Sequence, residues 1–387
     1  PVDELGVTAR DAFTLDVELE HPAPHFLELC AHWIYSPLCK EVDQLHPGWA
    51  YYGDDTYVSN GPFRLAKWRR NSEIQVLKNP SYWDKDAVSI NQIDISIVED
   101  PERALSLYQR GELDWIGEPL SEIPPEAFKI KEFERKIVAH PIAAVHWYSL
   151  NVNVVPFTSE KCRRALAIAL NRRTMVDKLF SGREKCAYSI LPPGLSQHNE
   201  PYFDDGDASK AKALFEDGLS ELNLTVDDLP PFMITCCDQE IHRSIALVAA
   251  KQWKEVLGID VKIEVFKWER FMEKCGQHDY QIMGITWYCW FYDPSYILYQ
   301  LKSLSHEMNF SQWHNPQYSR LLEKAQDCTD NAERLELLHE AETIVMKELP
   351  IIPLFYYTFK DMKKDYLDNI YLSHLGQIDF KWARIIS

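Results

Sequence analysis

The chain has 387 residues, 46% of them hydrophobic, 12% aromatic and 26% charged, which is the composition of a folded globular protein of two or three domains. With 41 basic against 59 acidic residues the formal charge is −18, which argues against nucleic acid as the main partner. No run of about 18 or more apolar residues appears, so no segment is predicted to span a bilayer. Low-complexity tracts and runs of like charge are also missing, which points to order throughout. The chain opens Pro1-Val2-Asp3-Glu4 without a basic n-region, an apolar h-region or a cleavage site. Two readings stay open on that point: a cytosolic protein, or a fragment whose targeting segment lies elsewhere. The nine cysteines (Cys30, Cys39, Cys162, Cys186, Cys236, Cys237, Cys275, Cys289 and Cys328) form no C-x-x-C pair, so neither a zinc cage nor a thioredoxin-type motif is supported.

In chain order, Phe13–Leu19 alternates apolar and polar and predicts a strand, stopped by Pro22 and Pro24. Phe26–Trp33 predicts a short helix, and 44–55 a loop rich in Pro, Gly and Asp. Phe63–Trp68 and Ile74–Leu77 around a polar turn predict a hairpin. Ile93–Val98 predicts a strand, Pro101 opens a helix closed by Gly111, and Leu113–Ile116 predicts a further strand, a β-α-β rhythm. Val145–Val152 is an aromatic-rich strand, followed by a helix from Ser159 through Leu179. A second alternating block follows: helices over 207–219, 242–257 and 268–274, strands over 232–235, 259–265 and 280–287. Pro294–Leu301 reads as helical, 315–328 and 331–349 as amphipathic helices, and Ile351–Tyr357 as a strand.

Six stretches in this order resemble the extracellular solute-binding proteins of the oligopeptide and dipeptide ABC importers. They are Gly6–Leu15 with Pro22–Leu27, Ser59-Asn60-Gly61-Pro62-Phe63-Arg64-Leu65, Asn79-Pro80-Ser81-Tyr82-Trp83, Ala104-Leu105 with Gly111-Glu112-Leu113-Asp114, Arg163–Arg172, and Asp293-Pro294 with Asn315-Pro316-Gln317-Tyr318. The resemblance implies an α/β, two-lobe periplasmic-binding-protein-like (type II) fold, each lobe a mixed sheet flanked by helices. It also implies an N-terminally truncated member, with 1–45 a remnant of a small extra subdomain of lobe I, 46–150 lobe I, 151–354 lobe II, and 355–387 returning to lobe I. The hinge candidates are Leu150-Asn151-Val152 and Phe355–Thr358. The implied function is capture of a peptide in an inter-lobe cleft and its delivery to the membrane subunits of an ABC permease. A monomer in the periplasm or cell envelope is expected, with no enzyme activity and no cofactor.

Candidate site residues come from two sources. From the residues alone, Thr286–Pro294 follows a predicted strand and puts five aromatics in six positions (Trp287, Tyr288, Trp290, Phe291, Tyr292) with neither a two-fold nor a 3.6-fold stripe. That irregularity favours a ligand wall formed with Asp293; packing under the loop is the alternative. From the resemblance, Trp287, Tyr288 and Cys289 offer backbone groups to a peptide, and Trp268 matches a pocket tryptophan. Met272 and Cys275, at i+4 and i+7 from Trp268, share its helix face and fill side-chain pockets. Tyr148 is a ligand-contact candidate on the first crossing strand. Peptide binders of the family carry an aspartate four residues before this loop's proline, to pair with the ligand's ammonium; here that position is Trp290. Either Asp293 or another acid takes over, or the ligand's N-terminus is blocked, unusual or not read, or Trp290 holds a cation on its face.

Rival chemistries have little support. The 13 histidines are scattered, no G-x-S-x-G elbow or phosphate-cradling loop occurs, and the cysteines lack an evident histidine partner. Two alternatives remain: the solute-sensing domain of a transcription regulator, or a carrier of a non-peptide solute such as a nickel complex.

Overall fold

The computed structural model describes residues 5–52, 56–198 and 200–386. The elements in chain order begin with β1 (Val7–Asp11), β2 (Thr14–Val17), α1 (Phe26–Cys30), α2 (Lys40–Leu45) and α3 (Trp49–Tyr52). They continue with β3 (Phe63–Arg69), β4 (Glu73–Lys78), β5 (Gln92–Ser96), α4 (Pro101–Gln109), β6 (Trp115–Gly117), α5 (Lys131–Lys136) and the long β7 (Val138–Leu150). Next come α6 (Glu160–Ala169), α7 (Arg172–Phe180), β8 (Lys185–Cys186), α8 (Ala208–Glu221), β9 (Phe232–Cys237), α9 (Glu240–Leu257), β10 (Val261–Phe266), α10 (Trp268–Gly276), β11 (Ile282–Tyr288) and α11 (Ser295–Leu298). The chain closes with α12 (Pro316–Asp327), α13 (Asn331–Glu348), β12 (Ile351–Lys363) and the short strands β13 (Leu367–Asp368), β14 (Tyr371–Leu372), β15 (Ile378–Asp379) and β16 (Arg384–Ile385).

These elements form two compact units: residues up to His32 with Ala143–Tyr356, and Trp33–Ile142 with Tyr357–Ser387. The chain passes between them after His32, along β7 and again along β12.

In the first unit the sheet runs β10-β9-β11-β7-β12, with β10 and β11 both parallel to β9, and β7 antiparallel to β11. Apolar runs buried on both faces explain the order: Ala143–Leu150 of β7 and Ile351–Phe355 of β12 have no exposed side chain. Helix α9 covers one face, its Trp253 fully buried and donating its indole N–H to Leu166 O at 2.9 Å. Two buried arginines tie the helices to their surroundings, Arg163 to a loop and the end of α13 and Arg172 to strand β12. Arg163 donates to Phe157 O and Glu348 O, each at 2.8 Å. Arg172 donates to Pro353 O at 2.8 Å and to Asp205 at 2.7 Å.

The second unit holds the antiparallel meander β3-β4-β5 and the pairing of β6 with residues 361–363 of β12. Its core gathers Leu105 and Tyr108 of α4, Ile116, Phe133 and Met362. Asp100 caps α4 by accepting from Glu102 N, with Pro101 at the first turn.

Four expectations are corrected. The stretch from Ser159 through Leu179 is two helices, because Leu170 is extended and Asn171 turns its side chain to accept from Thr174 N at 2.8 Å, starting α7 afresh. The β-α-β rhythm over 93–116 is not a parallel unit: β5 closes the meander, and β6 pairs with β12 instead. The stretch 44–55 carries the end of α2 and all of α3, with Gly48 at positive φ between them; residues 53–55 lie outside those described. Both β7 and β12 outrun their apolar cores, β7 through Pro141 and β12 through Lys360, Asp361 and Lys363, residues that conceal a strand from a periodicity reading.

Gly284 sits where β11 passes Tyr148 and His146. A Cβ there would lie 2.9 Å from Tyr148 Cε1. Gly284→Ala is expected to destabilise the protein by about 1–3 kcal/mol, read as a lower midpoint in denaturant unfolding with unchanged slope.

Candidate functional site

Because β9, β10 and β11 run parallel, their carboxyl ends share one edge of the first unit's sheet. Open α/β sheets take their ligands at that edge. Three connections leave it: 238–239 into α9, Lys267 into α10, and Cys289–Pro294 into α11.

The alternation of β11 sorts its side chains. Met283, Ile285 and Trp287 face α10: Cys275 Sγ lies 2.9 Å from Met283 Sδ, and Trp287 stacks on Trp147 with ring centres 5.9 Å apart. Gly284 and Thr286 face the other way. There Thr286 Oγ1 lies 2.8 Å from Nδ1 of the buried His146, whose ring stacks on Phe355 at 5.1 Å. Burial drives His146 well below the usual imidazole range, with the neighbouring His242 adding to the effect.

Beyond β11, Cys289 N donates to Ala143 O at 2.8 Å, extending the ladder one step. The Cys289 thiol is buried, which pushes it up to about 12, and the charge of Asp293 adds to the shift. Trp290 then turns outward, 60% exposed, with His32 stacked on it at 5.9 Å. Phe291 stacks on His25 at 5.0 Å with the rings 9° from parallel. Gly194, at φ +90°, allows the Tyr292 hydroxyl to approach where a Cβ would collide with it.

Asp293 ends the loop. Its Oδ1 accepts from Arg334 Nη2 at 2.7 Å and from Ser295 N at 2.9 Å, and its Oδ2 accepts from Arg334 Nη1 at 2.9 Å. Both side chains are buried. Burial alone would raise the carboxyl; the hydrogen bonds from Arg334 and Ser295 and the guanidinium charge outweigh it and hold Asp293 below the usual carboxylate value. His25, close to Arg334, is lowered chiefly by burial, with Asp293 opposing and Arg334 reinforcing.

The structure therefore gathers most of the sequence candidates at one edge. Trp268 (51% exposed) and the half-buried Met272 lie on α10, and Trp287, Tyr288 (43% exposed), Cys289, Trp290, Tyr292 and Asp293 lie on β11 and its loop. Two candidates lie elsewhere. Cys275 is two turns down α10 in the core, and Tyr148 is on the opposite face of the sheet, fully buried beside Trp253 at 5.7 Å. Asp293 has both oxygens committed to Arg334 and Ser295. Sequence reading missed Arg334, His25 and His32. Arg334 lies 41 positions from its partner on a helix that reads as ordinary, and the two histidines come from a proline-rich stretch with no periodic signal. Among the described residues no cluster of three or more His, Cys, Asp or Glu side chains is placed to hold a metal ion, and no helix is long and apolar enough to cross a membrane.

Two α/β units threaded by two long strands, one with an aromatic carboxyl edge, have the architecture of type II periplasmic binding proteins. The sequence model of bacterial extracellular solute-binding proteins, family 5 (middle), matches residues 1–309, and the chain belongs to that family. It is 33% identical to the oligopeptide-binding protein OppA of Bacillus subtilis, over 99% of this chain and 71% of that protein. It is 31% identical to the dipeptide-binding protein DppE of the same organism, over 98% and 70%. The crystal structure of Haemophilus influenzae OppA in complex with RPPGFSPFR superposes with a TM-score of 0.75 at 26% identity, covering 99% of this chain and 75% of that one.

Removing Arg334 alone leaves a buried, uncompensated carboxylate. Arg334→Met is expected to cost about 3–5 kcal/mol at pH 7, and Asp293→Asn together with Arg334→Met to recover much of that. The pH dependence should change sign. In the native protein the contribution of the lowered Asp293 is complete above the unfolded carboxylate value and fades as pH falls through the folded one. In Arg334→Met, only the hydrogen bonds from Ser295 still oppose burial and the carboxyl rises, so stability should increase as pH falls; urea unfolding at pH 4 and pH 7 measures this.

Proposed function

We propose that the protein is the peptide-capturing component of an ABC importer, holding oligopeptides or dipeptides at the carboxyl edge of its first unit and passing them to membrane permease subunits. It works as a monomer in the periplasm or at the cell envelope, and it binds and releases without chemical change. The names of OppA and DppE support the ligand class, and the peptide complex of Haemophilus influenzae OppA supports the mode.

The observation that carries the reading is at β11. Its pairing with β9 ends at Gly284, while its pairing with β7 continues to Tyr288. Along Ile285–Trp287 the side of the strand turned toward β9 thus lies outside the ladder, at a position where an extended peptide's main chain can add. Trp287 and the outward Trp268 and Trp290 supply broad apolar surfaces beside it. Aromatic walls accept varied side chains because they discriminate by area more than by hydrogen-bond pattern.

Titration calorimetry with tri- to hexapeptides tests this. Trp268→Ala and Trp287→Ala are each expected to weaken binding by about 1–3 kcal/mol, with the thermal midpoint of Trp268→Ala close to that of the parent. Unchanged affinity in both would move the site elsewhere.

A further inference from the structure

A groove of about 250 Å³ opens beside the aromatic loop, wholly within the first unit, with Tyr292, Asp293 and Pro294 on one wall. The opposite wall is the α1 segment, which brings His25 and Glu28, and Gln197 and Asn331 complete the polar lining. The segment is pinned on both sides of Glu28. His25, three residues before it, stacks on Phe291, and His32, four residues after, stacks on Trp290. Two aromatic contacts thus hold Glu28 at the groove.

The charges present at the groove settle what it can accept. Asp293 is neutralised by the bidentate Arg334, which is itself buried and spends its charge on that pair. Partial burial lowers His25 from the usual imidazole range, Asp293 opposing and Arg334 reinforcing. Glu28 is exposed, and among the described residues no ion pair or hydrogen bond engages its side chain. The groove therefore carries the net charge of one carboxylate, and the amides of Gln197 and Asn331 can each turn an oxygen toward a donor. A primary ammonium has three donors and no acceptor, and this lining matches it. A carboxylate entering the same space would meet Glu28 and no available cation.

Resting on the peptide reading above, we propose that this groove reads an alkylammonium group of the bound peptide, either its α-amino terminus or a lysine side chain, with Glu28 as the ionic partner. The acid that position 290 lacks is supplied by α1. Trp290 at the rim adds a face on which a cation is attracted.

The test exposes the protein to a pool of tri- to hexapeptides in three equal populations: free α-amine without lysine, N-acetylated with one lysine, and N-acetylated without lysine, all lacking arginine and histidine. Retained peptides are separated on a sizing column and counted by mass spectrometry. The native protein is expected to retain at least one amine-bearing population about fivefold over the blocked, lysine-free one. The enriched population identifies the source of the ammonium. Glu28→Gln is expected to bring that ratio to near one while capturing the blocked population as before, with an unchanged melting midpoint. A native protein indifferent to the amine, or a Glu28→Gln variant that keeps the native ratio, overturns the assignment while leaving peptide capture intact. Retention of none of the three populations by the native protein overturns the peptide reading itself, and this assignment with it.

Discussion

The bidentate pair between Asp293 and Arg334 is the constraint on which the rest of the binding edge depends. One carboxylate ties the end of the loop to α13 through the guanidinium and to α11 through Ser295 N. The start of the loop is fixed separately by the bond from Cys289 N to Ala143 O. With both ends tied, only residues 290–292 span the gap. Trp290 turns outward against His32, Phe291 lies on His25, and Tyr292 reaches Gly194. A buried ion pair is a poor source of net stability, because two desolvations offset most of the attraction. Its value here is geometric: the pair admits one arrangement of the loop, and that arrangement exposes aromatic surface where strand β11 loses its partner.

Several of the stretches that carry the resemblance to solute-binding proteins turn out to hold the fold. Arg163 and Arg172 bracket one of them, and both are buried among backbone carbonyls with Arg172 also paired to Asp205. Asn79 bridges Ser59 O and Gly61 O, locking one motif to another within the second unit. Burial lowers both arginines from their usual range. Such residues say which fold is present and little about the solute. The proposed peptide site is the aromatic loop and the edge beside it, where the local pattern is irregular.

That division also decides what could be read from the chain in advance. Strands with clean alternation or apolar runs, such as β4, β9 and β11, were legible, as were helices with a cap at one end and a glycine at the other. The extensions of β7 and β12 were not, since Pro141 and Lys360 are poor strand formers held in place by their neighbours. At the site, Trp268 and the loop aromatics stood out because large apolar side chains broke every period. Arg334 did not, because one arginine on an amphipathic helix looks like any solvated charge until its partner is known. The parity of β7 was the other hidden quantity. Tyr148 opposes Gly284 and so turns to the α9 face, whereas Trp147, one residue earlier, opposes Ile285 and stacks on Trp287.

Charge acts on this protein at two ranges, and the two are physically separable. The formal charge of −18 produces a field that extends over about a Debye length, roughly 8–10 Å at physiological salt, and favours the approach of cationic solutes without regard to where they land. Salt screens that contribution. The carboxylate of Glu28 acts at contact distance, at a groove whose apolar wall includes Leu195 and Pro294. A preference for amine-bearing ligands that disappears with added salt would therefore belong to the surface as a whole. One that survives while association slows would belong to the groove, because local pairing acts mainly on the dissociation rate and long-range attraction mainly on the encounter.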